Sequence, residues 1–183
     1  ELDLFISKGY IEQIGFVIGE NGLDLAKSMQ IEFPVIKVGN WIGPLLVHAA
    51  AKNVKRILLL GYHGKLIKLA GGIFHTHHHL ADARIEILVF LAIKANIPLE
   101  LIHKISNINT IEEALINLEK ENIEITRNLW LLIANTIELR SLQYIKRYTS
   151  NELKVGAALF DRKRSVRWTG INAESMFLKP DNF

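Results

Sequence analysis

Arg56-Ile57-Leu58-Leu59-Leu60-Gly61 sets one charge, four consecutive apolar side chains and a glycine in a row. A strand wetted on one face alternates polar and apolar residues. An unbroken apolar run of this length, Arg56–Leu60 with Gly61 as its stop, instead fits a strand covered on both faces, as in a parallel sheet. Two shorter runs precede it. Ile14–Ile18 ends at Gly19-Glu20-Asn21-Gly22, and Pro34–Val38 ends at Gly39-Asn40. A helix-like stretch, Leu23–Met29, separates those two. Trp41–Lys52 reads as a buried helix, with Gly43 and Pro44 in a first turn that tolerates proline. The alternation of strand and helix is βαβ logic. With right-handed crossovers it predicts an open, mainly parallel α/β sheet.

Downstream the chain turns helical. Asp82–Ala95 is apolar nearly all round after its first turn and predicts a buried helix ending before Pro98. Thr110-Ile111-Glu112-Glu113 has capping-box spacing, with Thr110 as N-cap and Glu113 reaching back to its N–H. A longer helix is predicted from Arg127 to about Tyr148, its core stripe marked by Leu129, Leu132, Ile133 and Ile137. Leu153–Phe160, a basic turn at Asp161–Arg164 and Ser165–Trp168 predict a C-terminal β-hairpin, and Lys179–Phe183 a loose tail. No repeat or linker interrupts the sequence, so residues 1–183 read as a single α/β domain.

The composition agrees. The chain has 183 residues, 49% hydrophobic and 22% charged, which excludes a disordered or low-complexity protein. The 22 Lys and Arg exceed 19 Asp and Glu by only three charges. Arg162, Lys163, Arg164 and Arg167 beside Trp168 therefore read as a solvated turn, and no nucleic-acid partner is expected. Cysteine is absent, which removes disulfides, thiolate zinc and cysteine nucleophiles; a cytoplasmic location is the expectation. Apolar runs such as Ile85–Ile93 are too short to cross a bilayer, so no membrane partner is expected. The first residue is Glu1 rather than methionine, which predicts a fragment or a processed product.

Two regions gather chemistry. Each early strand candidate ends in a glycine loop, the third being Gly61-Tyr62-His63-Gly64-Lys65. In an open parallel sheet these ends share one edge, where ligands bind. The alternative for each is a tight turn without a ligand. None is a Walker loop, since Gly61-x-x-Gly64-Lys65 lacks the longer spacing and the following Ser or Thr. The second region is His75-Thr76-His77-His78-His79, followed by Asp82 and Arg84. Imidazoles bind metals, but a histidine-rich segment also serves as a metal-free functional loop or an ordinary polar turn. Only His48, His63 and His103 remain as further histidines, so no resident metal is expected. Asp82 doubles as a first-turn acid that complements the helix dipole, and Arg84 as a solvated helix start. No Gly-x-Ser-x-Gly elbow or His-Glu-x-x-His helix is present. Trp41, Trp130 and Trp168 read as core or interface anchors.

From Gly61 to Arg84 the residues Gly-Tyr-His-Gly-Lys-Leu-Ile-Lys-Leu-Ala-Gly-Gly-Ile-Phe-His-Thr-His-His-His-Leu-Ala-Asp-Ala-Arg become specific. They resemble the signature of the CbiD family, which runs roughly Gly-His-x-Gly-Lys-x-x-Lys-Leu-Ala-x-Gly-x-x-x-Thr-His-Ser-x-x-Ala-Asp-x-Arg. Gly39-Asn40-x-x-Gly43, Asn109-Thr110-x-Glu112-Glu113-Ala114, Val155-Gly156 and Phe160-Asp161 support it. The resemblance covers about residues 15–165. It departs from the pattern at Tyr62, where the histidine sits one place later at His63, and at His78, where the family has serine. The family's N-terminal Gly-Tyr-Thr-Thr-Gly-Thr-like motif has no counterpart, so the resemblance implies the C-terminal part of a longer enzyme.

What the resemblance implies is methyl transfer from S-adenosylmethionine to ring carbon C-1 of cobalt-precorrin-5B in cobalamin biosynthesis. Cobalt enters only as part of that carboxylate-rich tetrapyrrole substrate. The implied substrate anchors are Lys65, Lys68 and Arg84. Gly19, Glu20, Asn21, Gly39, Asn40, Gly61 and Gly64 are the implied contacts for the methyl donor, and His75, His77 and Asp82 the proton-handling, catalytic set. Two other readings stay open: a non-catalytic corrinoid- or S-adenosylmethionine-binding fragment, and a histidine-rich metal-dependent hydrolase. Self-association into a homo-oligomer is also left open.

Overall fold

A computed structural model of the chain describes residues 1–177, and the tail expected at Lys179–Phe183 lies outside them. The apolar run at residue 56 is the middle strand of a five-stranded sheet. Strand β1 is Gln13–Ile18, β2 Val35–Val38, β3 Arg56–Tyr62, β4 Lys154–Phe160 and β5 Val166–Thr169. Their order is β2-β1-β3-β4-β5, parallel from β2 to β4, with β5 antiparallel to β4. Gln13 lies beside Arg56 and Arg56 beside Lys154, while Ile18 lies beside Gly61 and Gly61 beside Leu159. The carboxyl ends of β1, β3 and β4 therefore share one edge. This is the open, mainly parallel α/β architecture expected, with its C-terminal hairpin.

Two glycine stops behave differently from the expectation. Strand β3 runs through Gly61 to Tyr62. A Cβ there would meet the Leu66 and Ile18 side chains at 3.0 to 3.3 Å, so glycine serves close packing rather than a turn. After β1, helix α2 (Glu20–Ser28) starts at once, so Glu20, Asn21 and Gly22 are its first turn and only Gly19, at φ 86°, is loop.

The remaining helices are α1 (Leu2–Ser7), α3 (Ile42–Ala51), α4 (His63–Ala70), α5 (Arg84–Lys94), α6 (Leu99–Ser106), α7 (Ile111–Glu121), α8 (Ile123–Ile145) and α9 (Ile171–Phe177). Neighbouring residues of β3 point to opposite faces of the sheet. Ile57 and Leu59 join the large core with α3 to α8. Leu58 and Leu60 join a smaller cluster under α2 and α9.

Thr110 caps α7 by accepting the Glu113 N–H at 3.1 Å, although the reciprocal Glu113 bond does not form among the described residues. Helix α8 starts four residues earlier than expected because Asn122 Oδ1 accepts the Ile125 N–H at 3.0 Å and caps it. Helix α5, expected to be buried, leaves Phe90 and Ile93 about half exposed, because its Ile87, Leu88, Leu91 and Ala92 stripe, flanked by Ile85 and Val89, is the side that meets the core.

Candidate active site

The edge where the parallel strands end carries a cleft of about 520 Å³. Its floor comes from the start of α4. Gly64, Lys65 and Lys68 follow directly on β3, and Tyr62 is the last residue of that strand. Its rim is the connection from α4 to α5, which brings Thr76, His77, His78, Asp82 and Arg84 to the same space. Asn40, just past β2, closes one side.

Backbone and side-chain bonds hold this rim across the sheet edge. Asn40 accepts the Thr76 N–H at its carbonyl (2.9 Å) and the Thr76 hydroxyl at Oδ1 (3.1 Å). The Phe74 carbonyl accepts the first N–H groups of α3, from Ile42 and Gly43, each at 3.2 Å. From below, the buried Lys68 ammonium donates to the Ala81 carbonyl (2.7 Å) and the Thr76 carbonyl (3.3 Å) and stands 3.9 Å from Asp82. Burial lowers its pKa and the Asp82 carboxylate opposes that shift. The rim is therefore pinned at both ends by hydrogen bonds from Thr76 and Lys68 to groups that burial would otherwise leave unpaired.

Charge in the cleft is mostly positive. Arg84 holds Asp82 bidentately, Nε to Oδ1 at 2.7 Å and Nη2 to Oδ2 at 2.6 Å, and this pairing keeps the Asp82 carboxyl below its ordinary range. Lys65 is half-buried and forms no hydrogen bond or ion pair among the described residues. Its pKa is lowered, first by burial and then by Lys68. Such an ammonium is an empty anion contact.

Behind the cleft lies a network that sequence reasoning missed. His63, only 1% exposed, accepts the Trp130 indole N–H at Nδ1 (3.0 Å), which puts its own proton on Nε2. Nε2 donates to Glu112 Oε2 at 2.9 Å, and the Tyr62 hydroxyl donates to the same oxygen at 2.8 Å. Burial, then the Glu112 bond, pushes the Tyr62 phenol up to about 12, so it stays neutral with its one proton committed to Glu112. The partners are 49 and 67 residues from His63. No local motif joins them, and the first-turn acid Glu112 reads in sequence as a helix start.

Of the residues singled out from the sequence, Asn40, Gly64, Lys65, Lys68, His77, Asp82 and Arg84 share the cleft. Others stand apart. His75 packs edge-on against Trp41 (ring centroids 4.2 Å apart) and pairs with it as an isolated β-bridge; its Nδ1 is buried without a partner among the described residues. Glu20 is ion-paired with Lys37, and Asn21 accepts a bond from Arg164 (2.9 Å). Gly61 is inside β3. Gly19 and Gly39 sit at neighbouring strand ends, where an added Cβ would meet nothing within 4 Å. Tyr62, Thr76 and His78 also line the cleft, although the sequence reading gave none of them a role there. Ring nitrogens of His77, His78 and His79 lie within 4.8 Å of one another, the one group of three or more metal-binding side chains among the described residues.

Comparison with known proteins follows the same ground. The C-terminal domain of CbiD matches residues 75–170. A cobalt-precorrin-5B C(1)-methyltransferase of Prochlorococcus marinus strain MIT 9515 is 57% identical over 174 residues, 95% of this chain and 47% of that protein. The protein of the same name from subspecies pastoris, strain CCMP1986, is 58% identical over the same shares, and that of strain MIT 9303 is 53% identical over 84% of this chain and 40% of its own. The chain spans about half the length of the curated relatives it matches. No solved structure matches it.

Proposed function

The chain belongs to the CbiD family, and from that premise we propose that it supplies the tetrapyrrole cleft of an S-adenosylmethionine-dependent methyltransferase acting on C-1 of cobalt-precorrin-5B. The observation that carries this reading is the cationic cleft at the strand ends, with Lys65 half-buried and unpaired at its floor. A carboxylate-rich macrocycle is the complementary ligand. In this reading Lys65 takes one carboxylate as a point charge, and Arg84, whose Nε and Nη2 hold Asp82, offers Nη1 to a second. Lys68 supports the rim from beneath rather than reaching for the ligand.

The open backbone at Gly19 and Gly39 fits close approach by a methyl donor, with Asn40 beside it for a ribose or carboxylate contact, while Glu20 is held by Lys37. The donor supplies an electrophilic methyl group on a positively charged sulfur. The chain's own residues align the two ligands and keep water away, and alignment of this kind supplies most of what an in-line transfer needs. His77 contributes a neutral imidazole at the rim, its pKa lowered first by desolvation and then by the neighbouring imidazoles. We propose the 183 residues as one α/β domain for this task.

The test is transfer of labelled methyl from S-adenosylmethionine to cobalt-precorrin-5B by the full-length protein. Label in the corrinoid is the expected result. Lys65→Ala should lower kcat/KM by about 10- to 100-fold, the scale of a lost hydrogen bond to a charged group, with an unchanged melting temperature. Absence of both transfer and calorimetric binding of S-adenosylhomocysteine would overturn the reading.

A further inference from the structure

Resting on that reading, we infer that His78 ligates the cobalt of the bound tetrapyrrole, so that the macrocycle is held by its metal as well as by its carboxylates. The assignment comes from asking which cleft group has a free lone pair of the right kind. The ammonium and guanidinium groups of Lys65, Lys68 and Arg84 have none. Both Asp82 oxygens are taken by Arg84. The Tyr62 and Thr76 hydroxyls, which donate to Glu112 and to Asn40 Oδ1, keep lone pairs only on neutral hydroxyl oxygen, a weaker ligand than imidazole for such a metal, and Asn40 Oδ1 is occupied. His77 accepts the His79 N–H at Nδ1 (3.4 Å), which places its proton on Nε2 and makes that nitrogen a donor.

His78 is left. It lines the cleft, is exposed, and neither ring nitrogen makes a hydrogen bond among the described residues. Its ring is held by stacking on His77, with centroids 4.9 Å apart and planes 16° from parallel, and it packs against His79 at 4.0 Å. Imidazole is a good ligand for divalent first-row metals, cobalt among them. The step is a ligand exchange. A water leaves an axial position of cobalt and a ring nitrogen of His78 forms the Co–N bond with its own electron pair. The other ring nitrogen keeps the proton, and the metal's oxidation state does not change. Cations at the floor and an imidazole at the rim thus address two chemically different parts of one ligand.

The probe is the cobalt(II) complex of uroporphyrin, a carboxylate-rich porphyrin, titrated into the full-length protein beside metal-free uroporphyrin. Wild type should bind both, the cobalt form about tenfold more tightly, an increment equal to about 1.4 kcal/mol. Its low-spin cobalt(II) electron paramagnetic resonance should show a triplet splitting from one axial nitrogen, collapsing to a doublet with heavy-nitrogen histidine. His78→Ser should abolish the splitting and the cobalt preference while keeping the affinity for metal-free uroporphyrin, which also shows that the variant is folded. His79→Ser should keep all three. Equal affinity for the two porphyrins, or a splitting that survives in His78→Ser, overturns the assignment and leaves the tetrapyrrole reading standing. Failure of wild type to bind either porphyrin overturns the tetrapyrrole reading, and the ligand assignment with it.

Discussion

His63 is surrounded by rings, with the Tyr62, Trp168 and Trp130 centroids 4.6, 5.6 and 5.8 Å away, and it has one proton and two partners. A second proton would go to Nδ1 and meet the Trp130 N–H head-on. Desolvation is the largest influence and lowers its pKa from 6.5, against the pull of Glu112. A folded-state pKa below the unfolded one means that the unfolded chain binds more protons. Stability is therefore full above the unfolded pKa and falls as pH drops from about 6.5 towards the lower folded value. Urea denaturation between about pH 7.5 and about pH 5 should show this loss in wild type and a flatter profile in His63→Asn, which keeps an acceptor for Trp130. Identical slopes would remove His63 as the source. At the same scale, Lys68→Met should leave the Thr76 and Ala81 carbonyls unpaired and cost about 1–3 kcal/mol. Amide exchange in residues 75–82 should accelerate with it, and unchanged exchange would count against a supporting role.

The last helix depends on a side chain from another element. Glu138, in the middle of α8, accepts the N–H groups of Ala157 in β4 and of Asn172 and Ala173 in α9, each at 3.0 Å. Burial raises its pKa although all three N–H groups act to lower it. A Cβ on Gly170 would collide with the same carboxylate. Gly170→Ala should displace the carboxylate, and Glu138→Ala should remove it. Either change should cost about 1–3 kcal/mol for the N–H groups left buried and should speed exchange in residues 171–177. Protection unchanged in both would mean that apolar contact alone holds α9. Such an element is hard to read from sequence, because its N-terminal partner lies 34 residues upstream and the helix is only seven residues long. Short helices α1 and α6 escaped for the same lack of a long period. Strands β1, β3 and β4 were legible because burial on both faces writes itself into consecutive residues. Within the cleft, Asn40, Lys65, Asp82 and Arg84 were legible because they stand in short local motifs. The exposure of Phe90 and Ile93 was not, since an apolar helix does not say which side lacks a neighbour.

On the scale of the whole molecule, the sheet divides the chain into unequal halves, and the cleft belongs to one of them. Helices α4, α5 and α7, which carry Lys65, Arg84 and Glu112, stand on the large-core side through Leu66, Ile67, Ile87, Leu88, Ile111 and Leu115. Among the described residues the other side has α2 and α9, packed through Leu25, Ala26, Ala173 and Met176. Leu58 and Leu59 are adjacent in β3, both fully buried, and belong to opposite sides. Truncation of either leaves a cavity, whose cost depends on how far its surroundings collapse into it. The large side is hemmed in by the 23-residue α8 and its neighbours, whereas α2 and α9 are short and can move inward. Leu59→Ala should therefore fall near the upper end of the usual range of about 2–5 kcal/mol, and Leu58→Ala near the lower. Leu59→Ala should also weaken binding of metal-free uroporphyrin, since relaxation of α4 shifts Lys65, while Leu58→Ala should leave it unchanged. Paired urea titrations and porphyrin titrations of the two variants test both statements. Equal losses of stability would show that α2 and α9 are as unyielding as the large core, and equal losses of affinity would show that the cleft depends on the sheet rather than on the helices above it.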